Sequence, residues 1–320
     1  MTIARVIALA TLVLASSAMG RQPADAASED RPIEATSLLG EPLRRPATDD
    51  AQLATLEKNL ADAQAALEKS PDDEMAWIWV GRRLAYLGRY REAIDLYTKA
   101  IEKFPESYKL RRHRGHRYIT IREFAKAETE LDWASKLAAD HPDEIEPDGI
   151  PNERNQPRST TDSNIWYHLA LARYLQGRFR EAGDTFERCL RYARNDDMIV
   201  ATRYWLFLSR QRDGVEWDDL EQILLPIDAD MDIVENHAYQ RLLLLFKGQL
   251  LEEDLMDGLE PGGVEFSTIA YGVARDRALE GDERGCHELL EKIVADDTWP
   301  AFGHIAAEAD LAREREETKP

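Results

Sequence analysis

A chain of 320 residues, 43% of them hydrophobic, carries enough apolar material for a sizeable core, in one elongated domain or two compact ones. Its 61 acidic residues outweigh 41 lysines and arginines and leave a formal charge of −20. That balance argues against nucleic acid as a general partner, because phosphate recognition needs the opposite sign, and it makes any local basic patch conspicuous.

The chain opens "MTIARVIALATLVLASSAMG". A short leading stretch ends in Arg5, an apolar run follows from Val6 to Ala15, and Ser16 and Ala18 stand at −3 and −1 of a cut after Ala18. The pattern predicts a secretory signal peptide over 1–18, too short to span a bilayer. It implies an exported protein, periplasmic or secreted, with no stable membrane insertion once the signal is cleaved. Residues 19–48 are rich in Pro, Ala and charge and show no periodicity, so they read as a flexible tether.

From residue 50 the apolar residues fall at helical spacing. "LEKNLADAQAALEKSP" reads as one half repeat at about 50–70, and "MAWIWVGRRLAYLGRYREAIDLYTKAIEKFP" as a helix pair broken at Gly88 and closed by Pro105. The pair then recurs. Gly81 returns as Gly115, Tyr90 as Phe124, Ala93 as Ala127 and Ala100 as Ala134, each 34 residues on. The same column returns as Phe179, Ala182 and Cys189 after a further 55, which is one period plus an insertion of 21 at about 141–161. Gly281 and Cys286 continue it near the end.

A 34-residue helix–turn–helix unit with this order of Trp, Gly, Tyr, Ala, Ala and Pro resembles the tetratricopeptide repeat. The resemblance implies an all-α, right-handed superhelical solenoid over 49–320. About six helix pairs fit it, at 74–107, 108–140, 163–196, 198–226, 235–258 and 267–297. "AFGHIAAEADLARERE" supplies a C-terminal capping helix. One pair cannot bury its apolar face alone, so the units stack. "RHRGHRYI", "PDEIEPDGIPN" and "NDDMIVATRYW" further resemble a group of exported bacterial tetratricopeptide proteins, which bears on location and fold but on no activity. Cys189 and Cys286 fall on small-residue packing positions and read as two separate buried thiols rather than a disulfide.

"RRHRGHRY" at 111–118 concentrates positive charge in an acidic chain. In tetratricopeptide stacks the first helix of each pair lines the concave surface, with positions 2, 5, 9 and 12 facing the groove. The resemblance therefore implies a ligand-binding set of Arg82, Lys109, Arg112 and His116 beside Tyr167, His168 and Tyr174. Two readings of this patch stand open. It could clamp the carboxylates of an acidic peptide, a C-terminus or an anionic sugar, since arginine forks match carboxylates and lysine adds a point charge. Alternatively, Asp143, Glu144, Glu146 and Asp148 of the insertion could fold in and neutralise it. His116 stands where the family usually has Asn, which speaks against a chaperone-tail ligand. A protein or peptide partner is the expected class.

A different class of function, a hydrolase-like enzyme or a metal or small-molecule sensor, would draw on His113, His116, His168 and the acidic insertion. No catalytic residue, metal or cofactor is assigned. "EIEPDGIPNERN" opens like a calcium loop but has Asn155 at the twelfth position, and "HELLE" at 287–291 lacks the second histidine of a zinc motif. Asp197, Asp232 and Asn236 are expected as helix N-caps.

Overall fold

The computed structural model describes residues 30–318. The expected signal peptide, 1–18, and residues 19–29 of the expected tether lie outside the described residues. The rest of that tether is ordered against the body. Residues 33–44 form an antiparallel hairpin of β1 (Ile33–Thr36) and β2 (Pro42–Arg44), with Ala35 and Leu43 buried. Its contacts explain why no local pattern announced it. Trp299 Nε1 donates to the Arg44 carbonyl (2.6 Å), Leu38 N donates to Glu308 Oε1 (2.6 Å), and Arg31 pairs with Asp297 (2.9 Å). These three partners lie more than 250 residues away, and a nearer one, the Arg91 amide, donates to Glu34 Oε2 (3.1 Å).

A lone helix follows, α1 (Asp50–Lys69), capped by Asp49, whose carboxylate accepts from the amides of Ala51 and Gln52. The pairs then run as the repeat predicts. They are α2 (Glu74–Tyr86) with α3 (Tyr90–Lys103), α4 (Tyr108–Thr120) with α5 (Phe124–Ala138), and α6 (Thr161–Leu175) with α7 (Phe179–Leu190). Three less regular pairs follow: α8 (Asp196–Arg212) with α9 (Trp217–Leu224), α10 (His237–Phe246) with α11 (Glu252–Met256), and α12 (Val264–Leu279) with α13 (Glu283–Val294). The last helix is α14 (Phe302–Glu317). Among the described residues no helix is long and apolar enough to cross a membrane.

The repeat columns have steric causes. On α3 the buried set Tyr90, Ala93, Ile94, Tyr97, Ala100 and Ile101 falls at spacings of three and four, one stripe of a helix. A Cβ on Gly81 would stand 2.3 Å from Tyr97 Cζ, so the approach of α2 to α3 requires glycine there. Cys189 and Cys286 are free and buried at the same small-residue positions.

The turn between paired helices takes a left-handed residue. Gly88, Gly177 and Gly281 hold φ of 69°, 76° and 88°, and Arg122 occupies the same column at 69°. An arginine there is held by tertiary contacts. Its guanidinium pairs with Glu308 of α14 (Nη2–Oε2 2.6 Å, Nε–Oε1 3.1 Å), with the two side chains 3% and 1% exposed. It also donates to the carbonyls of Thr120 and Trp299.

This pair marks a departure from a simple capped stack. Helix α14 packs on α12 and α13 and reaches back to α6, while Trp299, just before it, meets Tyr90 of the first repeat edge-on with ring centres 5.4 Å apart. Asp310 of α14 accepts from Arg212 of α8 (2.8 and 3.0 Å) and from Tyr271 Oη (3.0 Å). The C-terminal helix does more than cap the last repeat. It returns to Arg122 of the second repeat, Trp299 just before it reaches the first, and with the hairpin they bring the two ends of the solenoid together.

Candidate functional site

The insertion, residues 141–161, forms a strap that crosses from α2 and α4 to α8 and the loop before α10. Its two ends pair with each other, Glu146 N to Ser159 O (3.0 Å) and Thr161 N to Glu144 O (2.9 Å), around an isolated bridge between Ile145 and Thr160. Thr160 and Ser163 then close a capping box that starts α6. Between those ends the strap meets three parts of the solenoid. Arg82 donates to Pro147 O (2.7 Å) and Arg83 to Gly149 O (3.0 Å) on α2. Asn152 donates to Glu235 (2.6 Å), Arg154 pairs with Asp232 (2.7 Å), and Arg158 with Asp197 (2.9 Å).

The basic patch is met by the acids of this strap. Lys109 Nζ donates to Glu144 Oε2 at 2.6 Å. Arg112 is buried and pairs with Glu146 Oε1 at 3.0 Å, while its other terminal nitrogen lies 3.0 Å from His113 Nδ1. That contact makes His113 Nδ1 an acceptor, so its proton sits on Nε2. Of the two readings of "RRHRGHRY", the intramolecular one describes Lys109 and Arg112 as they stand, and an open clamp at those residues does not. A small pocket of about 230 Å³ remains between α2, α4 and the strap, lined by Ile78, Arg82, Lys109, His113 and Glu146 among others.

The other expected site residues separate into two places. His116, Tyr167 and His168 come together, with Phe302 of α14 completing a cluster of rings. The His116 and His168 ring centres are 4.2 Å apart, and Phe302 lies 5.5 and 5.7 Å from them. His168 Nδ1 donates to the Asn164 carbonyl (2.6 Å), which fixes its tautomer. Tyr174 is elsewhere, fully buried, with its hydroxyl 2.6 Å from that of Tyr271. It belongs to the core between α6 and α12, and the binding role expected for it is corrected accordingly. Its position-12 spacing faces inward, but inward here is where α12 and α14 have packed.

The electrostatics around these histidines follow from burial. His113, His116 and His168 are all held well below the ordinary imidazole range, first by burial and then by neighbouring cations, chiefly Arg112 and Arg117. Asp162 at the strap's end is pushed up to about 6 by burial and the adjacent Asp143. Among the described residues no group of three His, Cys, Asp or Glu is placed to hold a metal.

Of the three acids and amides expected as N-caps, none plays that part by its side chain. Asn195 caps α8, and Asp197 instead accepts from the amides of Val234, Glu235 and Asn236 while pairing with Arg158. Burial alone would raise the Asp197 carboxyl, but those amides and Arg158 hold it below its usual range. Asp232 pairs with the strap, and the Asn236 amide group donates to the Asp197 carbonyl.

Sequence reasoning missed Phe302, Glu308 and Arg122. Arg122 did leave a signal, since it breaks a column of turn glycines. Phe302 and Glu308 left none that a local pattern would reveal.

Residues 75–107 and 163–196 each match the tetratricopeptide repeat family model. Among solved structures, YrrB, described as a TPR protein with an unusual peptide-binding site, aligns over 80% of this chain and 97% of its own at 15% identity, with a TM-score of 0.39. A tetratricopeptide repeat protein from Parabacteroides merdae aligns over 82% and 94% at 14% identity, with a TM-score of 0.48. No curated protein matches the chain.

Proposed function

The chain is a tetratricopeptide-repeat protein, and from that premise we propose that it is an exported scaffold whose concave side takes an acidic segment of a protein partner. In this reading the strap is a resident stand-in for that segment, and the partner's carboxylates replace Glu144 and Glu146 on Lys109 and Arg112. One observation supports it above the rest: two strap acids engage two basic groove positions at 2.6 and 3.0 Å, the geometry an acidic peptide would adopt. Exchange of one carboxylate for another preserves the pairing of the buried Arg112, so displacement does not strand a charge.

The test uses the strap's own sequence as the probe. A labelled peptide of residues 141–152 is added to a full-length Glu144→Gln/Glu146→Gln variant and followed by fluorescence anisotropy. The peptide is expected to bind the variant at least ten-fold more tightly than wild type, and adding Arg112→Glu to the variant abolishes binding. Absence of binding to the opened variant would sink the proposal. Export is tested by amino-terminal sequencing of the protein from its own cells, where a chain starting at Met19 is expected.

A further inference from the structure

A pocket of about 400 Å³ opens where α5, α6 and α7 meet, and none of its lining residues belongs to the strap. Lys136 comes to it from α5, Trp166 and Arg173 from α6, and Arg188, Arg191 and Tyr192 from the end of α7 and the turn that follows. The α7 stripe that packs inward, Ala182, Phe186 and Cys189, leaves Arg188 exposed on the helix's other side. Arg191 keeps helical backbone angles at the helix end, so it stands one turn on from Arg188 and faces the same way. The volume is in the range of small-molecule sites.

In a chain with a formal charge of −20, this pocket is lined by four cations and a single acid, Asp132. Asp132 is taken by Lys136 (2.6 Å), and Arg173 is held by Glu128 (3.1 Å) and by the Thr185 hydroxyl (2.6 Å). Arg188 and Arg191 are left over. Among the described residues neither side chain has a hydrogen bond or a carboxylate within 4.0 Å, and the acids beside them on α7, Asp184 and Glu187, are taken by Arg210 (2.8 and 2.6 Å). The carbonyl ends of α5 and α7 lie at the pocket and answer them in part, with about half a negative charge each, so roughly one of the two positive charges is unmet. The Arg188 guanidinium carbon also stands 5.0 Å from the centre of the Trp166 ring, which holds one fork in place before any ligand arrives.

We propose that this pocket binds a small organic phosphate monoester, with the phosphate on Arg188 and Arg191 and the ester's body against Trp166, Leu169 and Tyr192. A guanidinium fork engages two oxygens at a time. Two forks one helical turn apart therefore ask for more oxygens than a carboxylate has, and the three terminal oxygens of a monoester supply them. The pocket is also larger than a bare phosphate needs, and its Trp, Leu and Tyr side chains offer apolar surface for an attached ring.

The experiment is a calorimetric titration of the full-length protein with phenyl phosphate, benzoate and inorganic phosphate at pH 7.5. Phenyl phosphate is expected to bind at least ten-fold more tightly than either of the others, the first comparison reporting the phosphate and the second the ring. Arg188→Gln and Arg191→Gln, both at exposed positions, should each weaken phenyl phosphate at least five-fold. Arg180→Gln removes an equally exposed arginine of the same helix that does not line the pocket, and it should leave the affinity as in wild type. Failure of phenyl phosphate to bind, equal affinity for benzoate or for inorganic phosphate, or the same loss in Arg180→Gln as in Arg191→Gln would overturn the proposal.

Discussion

Arg122 holds a left-handed backbone that its counterparts in the other turns give to glycine, and the ion pair to Glu308 is what holds it there. Arg122→Gly would relieve roughly 1 kcal/mol or more of backbone strain, but it leaves Glu308 buried without its partner, at about 3–5 kcal/mol. A net loss of about 2–4 kcal/mol is therefore expected in urea unfolding. Arg122→Gly combined with Glu308→Leu should recover most of that loss, because no buried charge remains. The buried histidines make a second residue-scale prediction. In the unfolded chain they take up protons near pH 6.5, whereas in the folded chain burial and the arginines prevent it. Below pH 6.5 the unfolded state thus binds more protons, and stability falls with acid by up to about 1.4 kcal/mol per pH unit for each histidine. Asp162 and Asp276, pushed up to about 6 by burial, act in the opposite sense as pH drops below 6. The comparison that isolates one histidine is His116→Phe, which should show a shallower fall in unfolding free energy between pH 6.5 and 5.5. Superimposable slopes would refute it.

At the scale of elements, the strap and the hairpin are both ordered by partners distant in sequence, but they differ in how far they could be read in advance. The 34-residue period was legible because a helix pair packs mainly on itself, so Gly81 opposite Tyr97 and Gly115 opposite Leu131 recur at fixed spacing. The strap was half legible. Its acids and the basic helix stood out as charge, but which arginine met which acid depended on the path of the chain between them. The hairpin was not legible at all, because Leu43 and Ala35 are buried in a cluster that draws on the first repeat and on Trp299, partners that no local pattern names. Tyr174 was misread for the converse reason, since its helical face was right but the groove it should line is filled by α12 and α14. Glu146→Gln strands the buried Arg112, so it is expected to cost about 3 kcal/mol and to speed amide hydrogen exchange through 143–160 more than elsewhere. Removing residues 1–48 uncovers Trp299 and Tyr90, which pack where the hairpin lies. A loss of about 3–5 kcal/mol, from the apolar area exposed, is expected in thermal unfolding. An unchanged melting temperature would mean the hairpin is not part of the folded unit.

For the molecule as a whole, contact between its first and last elements changes how it should respond to truncation. An open solenoid has only nearest-neighbour interfaces, so loss of a terminal unit is felt next door and fades along the stack. Here α14 pairs through Glu308 with Arg122 in the second repeat and through Asp310 with Arg212 in the fourth. Ending the chain at residue 300 should therefore weaken the second repeat, far back in the sequence, as well as the last. Hydrogen exchange of α4 and α5 in that truncation is the measurement. Protection equal to that of the intact chain would show that the ends are not coupled. The two interior thiols provide a clock for the same property. Cys189 sits in the middle of the chain and Cys286 near its end, and burial pushes them up to about 12 and about 11, so neither is reactive while the protein is folded. Alkylation can proceed only when the chain opens. If the molecule opens as one unit, iodoacetamide will tag both cysteines at one shared rate, and a fast-tagging Cys286 would reveal a frayed end long before any loss of helix could be detected.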